Sequence, residues 1–442
     1  GSDPEYAAAI VEKAGGWRLV YSGQGHLRAI LRSVYRVLGE RAAAFPRLVL
    51  GNSALAAKSG DLAAATELFR QIADSGHDGA LADEIAILDA LVLLYCDQPL
   101  PEPALAAIVE LSSRLTDADP IGLALAANLV AYFMLQKGDY LKARRFGERA
   151  VQIFRRAEAA FGEIHLYVHI GEAELATRNR SAAAATYRTM RDLSIRVLGE
   201  DNDLEAIAAA LQAEAAYEAD ERAEARRMLV PALNRIERAD GWFDVFAAGY
   251  LTAARLELAD HGPAAALAAI ERGRGTVEGR RMARLGRLLD EEAIRVATLA
   301  GDLEQAAVRC RRIGLALDPH AAVRVPEPVS SLRGDGPALI LARLLIALGK
   351  PDAALAFLDA ADQQMLRTGA PLSRRITGRV LKAFAEDMLG RRDRGLASLS
   401  IAMKLAAPER FVRTLLDEGE RFRNLAAEIP EAARIDFPPR DR

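Results

Sequence analysis

Cysteine is nearly absent: the 442 residues hold two, Cys96 and Cys310. They stand far apart and outside any C-x-x-C spacing, which excludes a disulfide framework and a cysteine-based zinc site and suits a reducing cytoplasm. An excess of charge of one sign is lacking too. The 58 basic and 61 acidic residues are interspersed, for a formal net charge of −3, so no basic patch tracks a phosphate backbone and direct nucleic-acid contact by this chain is not expected. No G-x-x-x-x-G-K-[ST] phosphate loop occurs. The stretch Ile121 to Leu135 runs 15 residues without a charge, short of the roughly 20 that a membrane-spanning helix needs, so no membrane segment is expected. No run alternates apolar and polar residues as a strand would. The start has no basic segment followed by an apolar one. Gly1-Ser2 without a methionine reads as an expression-vector remnant, and the chain is expected to be cut from something longer.

Histidine is equally sparse, and His26, His77, His165, His169, His261 and His320 are mostly isolated. His165 and His169 are four apart, hence neighbours on one helix face, with Glu172 one short turn further on. A two-histidine, one-carboxylate metal site is conceivable there. Without the H-E-x-x-H order or ligands from a second helix, packing or hydrogen-bonding histidines are expected instead. No nucleophile is paired with a base, so neither a catalytic residue nor a cofactor is expected in this chain.

What is abundant is repetition. "KSGDLAAATELF" from Lys58, "QKGDYLKARRFG" from Gln136 and "LAGDLEQAAVRC" from Leu299 share a breaker, a polar residue and a helix opening. The breakers form a series, Gly60, Pro99, Gly138, Asn179, Asp220, His261, Gly301, Gly349 and Gly390, spaced by 39, 39, 41, 41, 41, 40, 48 and 41 residues. Five residues after them stand Ala65, Ala104, Ala143, Ala184, Ala225, Ala266, Ala306, Ala354 and Gly395. A small residue is needed there because crossing helices about 8 to 10 Å apart leave no room for a large one. Between breakers the apolar residues follow a helical period, as in Tyr140, Ala143, Gly147, Ala150 and Ile153. The pattern predicts an all-α, superhelical solenoid of about nine helical hairpins with a period near 40 residues and a concave inner surface. The single long spacing coincides with "LDPHAAVRVPEPVSSLRGDGP", read as a surface loop interrupting the array.

The opening "GDY..A" of Gly138, Asp139, Tyr140 and Ala143 resembles that of tetratricopeptide repeats, although their usual period is shorter. With a period near 40, the chain resembles the sensor domain of MalT-like regulators of the LuxR family. Two further stretches sharpen this. "EKAGGWRLVYSGQGHLRAILR", Glu12 to Arg32, with Ala14, Gly15, Gly16 and Trp17, looks like the passage from a small helical domain into the solenoid. "APERFVRTLLDEG", with Pro408, Glu409, Phe411, Val412, Arg413, Leu416, Asp417, Glu418 and Gly419, looks like the family's closing repeat; Arg410 departs from the small residue usual there. The resemblance implies three parts: residues 1–16 as the end of a preceding helical domain plus the vector remnant, 17–406 as the sensor solenoid, and 407–442 as closing helices leading to a helix-turn-helix domain. It implies a cytoplasmic effector sensor that controls ATP binding, oligomerisation and DNA binding by other domains of the parent protein. A scaffold that holds a peptide or protein, with no small effector, is the alternative.

In tetratricopeptide folds the first helix of each hairpin lines the concave surface. Six residues before the breakers stand Tyr132, Glu214, Arg255, Arg295 and Arg343, so the three arginines would form a ladder down the inner groove. Asn128, Gln136, His169, Tyr217 and Glu291 are their expected neighbours. Guanidinium forks bind carboxylate or phosphate, so these ten residues are the candidate contacts for a small inducer or a regulatory protein. The ladder could equally be neutralised by Glu214, Glu291 and other carboxylates between hairpins. The most basic stretch, Arg272 to Arg287, reads as a solvated turn between repeats.

Overall fold

The computed structural model describes residues 3–21, 25–74, 79–114, 118–177, 179–315, 332–368 and 370–429. Among these, every regular element is helical. Helix α1 (Pro4–Lys13), a 3₁₀ segment (Gly16–Tyr21), α2 (Gly25–Leu38) and a second 3₁₀ segment (Gly39–Ala44) lead into the array. Nine hairpins follow: α3 (Pro46–Lys58) with α4 (Leu62–Ala73), α5 (Ala80–Tyr95) with α6 (Glu102–Arg114), α7 (Pro120–Gln136) with α8 (Tyr140–Arg156), α9 (Ala160–Ala176) with α10 (Arg180–Leu198), α11 (Asp203–Glu218) with α12 (Arg222–Ile236), α13 (Phe243–His261) with α14 (Pro263–Arg280), α15 (Ala283–Leu299) with α16 (Leu303–Arg312), α17 (Pro337–Ala347) with α18 (Pro351–Thr368), and α19 (Leu372–Met388) with α20 (Arg392–Ala406). Two short helices, α21 (Val412–Leu416) and α22 (Glu420–Ala427), close the array. The expected α-solenoid of nine hairpins is the fold.

The shared "GD" opening has a local cause. Gly138 turns the chain at φ +76, and the Asp139 side chain then accepts the Lys142 N–H at 3.2 Å, satisfying a free donor of α8. Asp61 and Asp302 cap α4 and α16 in the same way. In three hairpins the expected breaker does not make the turn. Asp97, at φ +56, makes it in place of Pro99 and Gly262, at φ +89, in place of His261, which is still helical, while Asn179, at φ −137, caps α10.

Four residues after each cap the chain passes closest to its hairpin partner, and the residue there is small and buried: Ala65, Ala143, Ala183, Ala225, Ala266, Ala306, Ala354 and Gly395. The second hairpin uses Leu105 instead, and the expected Ala104 and Ala184 are half-buried one position away. At Gly395 a Cβ would lie 3.0 Å from the Ala383 carbonyl oxygen, which explains glycine where the other hairpins use alanine.

The entry segment is fixed to the array by Trp17, which is fully buried and donates its indole N–H to Glu84 at 2.9 Å. Gly16 permits this. Its φ is +49, and a Cβ there would stand 2.3 Å from the Arg47 carbonyl oxygen. Gly16→Ala is therefore expected to destabilise the chain by about 2–4 kcal/mol in urea unfolding, combining backbone strain with a clash. Gly39→Ala, at φ +57 with open space around the site, supplies the strain alone. Equal losses for the two variants would refute the contact argument.

The solenoid winds so that a hairpin meets the one about five further along. Lys58 of the first reaches Asp240 beside the sixth, Asp97 of the second reaches Arg284 of the seventh, and Asp220 of the fifth reaches Arg413 beyond the ninth. Apolar packing is continuous from Ala8 to Val296, and a second core runs from Ile294 to Ile429, so the seventh hairpin is shared. Each hairpin is thus held by its neighbours and by a polar contact across the axis.

Candidate ligand-binding groove

The first helices of the hairpins turn one polar row inward, toward the superhelix axis. On α7 that row is Asn128, Tyr132 and Gln136, at helical spacing of four, and all three are buried because α5, α9 and α8 cover the rest of the helix. The sequence-derived inner residues do converge on the axis. What they meet there are partners from other turns.

Arg284 enters from the seventh hairpin and donates to Gln136 Oε1 at 2.6 Å, to the Tyr132 hydroxyl at 3.2 Å and to Asp97 at 2.5 Å. Gln136 in turn donates to Asp244 at 3.1 Å. Burial pushes the Asp244 carboxyl up to about 6, with Glu172 adding to the effect. His169 packs against the Tyr132 and Trp242 rings at 5.7 and 6.0 Å, and burial pushes it down to about 4. Its Nδ1 lies 3.7 Å from Glu172 Oε2, and neither atom has a hydrogen-bond partner among the described residues. Asn128 Oδ1 is likewise without one.

The next layer is built around Arg333, which donates to Glu214 at 2.7 and 2.8 Å and to Glu172 at 3.0 Å. Arg333 lies in the stretch read from sequence as a surface loop. Residues 316–331 lie outside the described residues, but Leu332 and Arg333 are buried on the axis and Gly334 and Asp335 half-buried beside them, because Arg374 donates to the Gly334 carbonyl at 2.8 Å and the carboxylates hold Arg333. Even with Arg333 beside it, burial raises the Glu172 carboxyl to about 7.

The arginine ladder exists and is internally paired. Arg255 and Arg295 converge on Glu292, at 3.3 and 2.9 Å; burial works against the charge on Glu292, but the two cations hold it at about 2. Arg343 binds Glu418 at 3.0 Å and Asp335 at 2.6 Å. Of the two carboxylates foreseen as neutralising, Glu214 belongs to Arg333 and Glu291 to Arg287, at 3.1 Å. The basic stretch is also no solvated turn. Arg280 is buried over the Phe246 ring and donates to the Ala239 and Gly241 carbonyls, while Arg272, Arg274 and Arg287 each engage a carboxylate.

The closing segment latches onto the fourth and fifth hairpins. Tyr217 donates to Asp417 at 2.7 Å, Thr414 donates to Glu218 at 2.7 Å, and Arg180 donates to the Glu409 carbonyl at 2.7 Å. Arg410, the departure noted in sequence, sits at φ +54 with its guanidinium turned toward the Ala219 carbonyl at 3.4 Å. At the other end of the axis Lys58 Nζ lies 2.7 Å from the Tyr95 hydroxyl, 3.2 Å from His165 Nε2 and 3.3 Å from Asp240. Lys58 and His165 hold the Asp240 carboxyl well below its usual range in spite of burial. His165 and His169 therefore point to different partners, and no group of three histidine, cysteine or acidic residues suited to a metal occurs among the described residues.

Three spaces stand out among the described residues. The central cavity, between Glu172, Glu214, Arg255, Arg295 and the latch, has about 60 Å³ of free volume, room for a few waters or one very small solute. An open groove of about 1120 Å³ lies at the Lys58 end, and one of about 590 Å³, rich in arginine, lies beside α21 and α22. Neither end groove could be found from the inner-row spacing, since each is assembled from hairpins distant in sequence.

The family model described as the MalT-like TPR region matches residues 83–429. A Rap protein complexed with competence and sporulation factor has a similar structure, with a TM-score of 0.61 at 11% identity over 84% of this chain and 99% of that one. Aspartyl phosphate phosphatase F from Bacillus subtilis gives 0.47 at 11% identity, over 81% and 92%. The Rap conjugation gene regulator of plasmid pLS20, in complex with the Phr* peptide, gives 0.33 at 16%, over 86% and 94%. No curated protein matches the chain in sequence. At such identities the first of these likenesses is one of fold.

Proposed function

The chain belongs to the MalT-like TPR region family, and from that premise we propose that it is the effector-sensing domain of a MalT-like, LuxR-family, ATP-dependent transcription activator. An inducer or regulatory partner bound in the superhelical groove would bias the solenoid between two shapes. That bias would release an ATPase domain and a helix-turn-helix domain of the parent protein for oligomerisation and promoter binding. Residues 17–406 would be the sensor proper, 1–16 the end of the preceding helical domain and 407–442 the passage to the helix-turn-helix. The chain itself would be non-catalytic, would need no cofactor and would work in the cytoplasm, where the free thiols of Cys96 and Cys310 stay reduced.

The observation that supports this reading best is the axial ion-pair column. Several of its contacts join hairpins three to five apart, so a ligand that competes for Arg333 or the latch changes the winding of the array. A ligand shifts that balance only by its difference in affinity between the two shapes. A second reading, a scaffold for a peptide or protein partner, is favoured by the fold shared with the Rap protein complexed with competence and sporulation factor.

Thermal unfolding of the purified chain against a metabolite library separates the two. The sensor reading expects one compound class to stabilise saturably, by about 2.7 kcal/mol at a hundredfold excess over Kd. A co-purifying protein with no such compound supports the scaffold. Flanking coding sequence without a phosphate loop upstream and a helix-turn-helix downstream would overturn the activator.

A further inference from the structure

We propose that the open groove at the Lys58 end binds a small organic anion, a compound joining carboxylate or phosphate to a compact apolar body, with Arg28 as its main hydrogen-bonding contact and the already-paired Lys58 adding only its charge from the floor. The groove is built by α2, the end of α3, the start of α9, the α10–α11 turn and the end of α12. Its volume of about 1120 Å³ admits a metabolite-sized ligand, whereas the central cavity of about 60 Å³ does not.

Arg28 is the anomaly that points to a missing partner. Its guanidinium stacks 3.9 Å from the centre of the Phe161 ring, which fixes the plane of the fork and leaves its N–H edges free to bind. The Nε atom is buried and has no acceptor among the described residues. Burial disfavours its charge, the nearby Arg32 adds repulsion, and Asp240 and Asp203 offset this only from a distance. The Nε of Arg28 is thus cut off from both water and a carboxylate while the rest of its half-buried guanidinium faces the groove, an arrangement that an anion would complete.

The surrounding charges agree. Asp240 is engaged by Lys58 and Tyr95, and Asp203 by Arg235 at 2.8 Å. Arg32 and Arg238 stand exposed on the rim with no salt bridge among the described residues, opposed by Glu200 and Asp201 on the exposed α10–α11 turn. At the floor, Lys58 Nζ lies 5.8, 5.0 and 5.4 Å from the rings of Tyr21, Tyr95 and Phe161, so a ligand there would meet an ammonium set in aromatic walls. A bidentate anion on Arg28 and a flat body against those walls would fill the groove.

Only the signalling consequence of this site rests on the sensor reading; the binding does not. Isothermal titration with benzoate, phenyl phosphate and uncharged benzyl alcohol, at fixed ionic strength, tests it on wild type, Arg28→Gln and, as a distant surface control, Arg70→Gln. Benzoate or phenyl phosphate is expected to bind wild type and Arg70→Gln alike and Arg28→Gln at least tenfold more weakly, with no saturable heat from benzyl alcohol. If Arg28→Gln fails to fold, Arg32→Gln combined with Arg238→Gln replaces it, with the same weakening expected. No saturable binding of either anion, or unchanged affinity in the variants, overturns the proposal. Anion binding together with flanking sequence that lacks the activator's other domains would leave this site standing and remove the sensor reading.

Discussion

Arg333→Met is expected to destabilise the folded chain by about 3–5 kcal/mol at pH 8, the range for stranding buried charges by removing one partner. Arg333 donates to Glu214 at two oxygens and to Glu172 at one, and Asp244 lies 3.9 Å away, so methionine keeps much of the stem's bulk and leaves the buried Glu172 and Asp244 and the half-buried Glu214 without that cation. It also removes one of the anchors of Leu332 to Asp335, which Arg374 and Arg343 otherwise still hold. Acid should relieve the loss, because the stranded carboxyls then take up protons. Urea unfolding at pH 8 and pH 5 checks both parts, and adding Glu172→Gln and Glu214→Gln should recover much of the stability at pH 8. A loss below about 1 kcal/mol, or one independent of pH, would show that the Arg333 contacts do not hold the axis together.

The second large effect concerns Glu172. In the folded chain its carboxyl is raised to about 7 by burial, against about 4.3 for an unperturbed glutamate. Between those values the folded state holds a proton that the unfolded state has lost. The stability contributed by the neutral carboxyl is therefore complete below about pH 4 and is lost as pH rises through 7. Glu172→Gln is neutral at every pH, so its stability relative to wild type should improve by roughly 2–3 kcal/mol between pH 4.5 and pH 8. The comparison is made as a difference because other groups pull the total the opposite way. His169, held down to about 4, gives stability that is lost as pH falls below its unfolded value, and Glu292, held at about 2, does the same at lower pH. Asp244, raised to about 6, acts in the same direction as Glu172. Chemical denaturation of both proteins across that range decides it: a constant difference, or wild type gaining on the variant as pH rises, would rule out a neutral Glu172 in the fold.

The inner face of the middle hairpins was legible. Counting back from the breakers placed Tyr132, Glu214, Arg255, Arg295 and Arg343 on the inner face, because the first helix of every hairpin keeps one orientation to the axis. Their partners were not legible. Arg255 and Arg295 meet Glu292, Arg343 meets Glu418 and Asp335, and Glu214 meets Arg333. Arg333 was hidden in a Pro, Gly and Ser-rich stretch, and Arg284 in a run of arginines whose only signal was a local excess of basic residues. Arg28 belongs to no repeat at all.

The sequence by itself determined the local order of this protein. Breakers near every fortieth residue, an Asp or Asn cap at or after four of them and a small residue a few positions beyond the turn in all but the second hairpin specify helical hairpins through contacts a few residues to one repeat long. The closing stretch beginning at Ala407 could be read as the end of that order. Tertiary structure alone decided which hairpins face each other across the axis, since the pitch of a solenoid is the sum of small rotations at each repeat and no single repeat carries it. That pitch carries Lys58 to Asp240, Arg333 to Glu172 and Tyr217 to Asp417, closes the middle of the concave surface, and leaves its open space at the two ends.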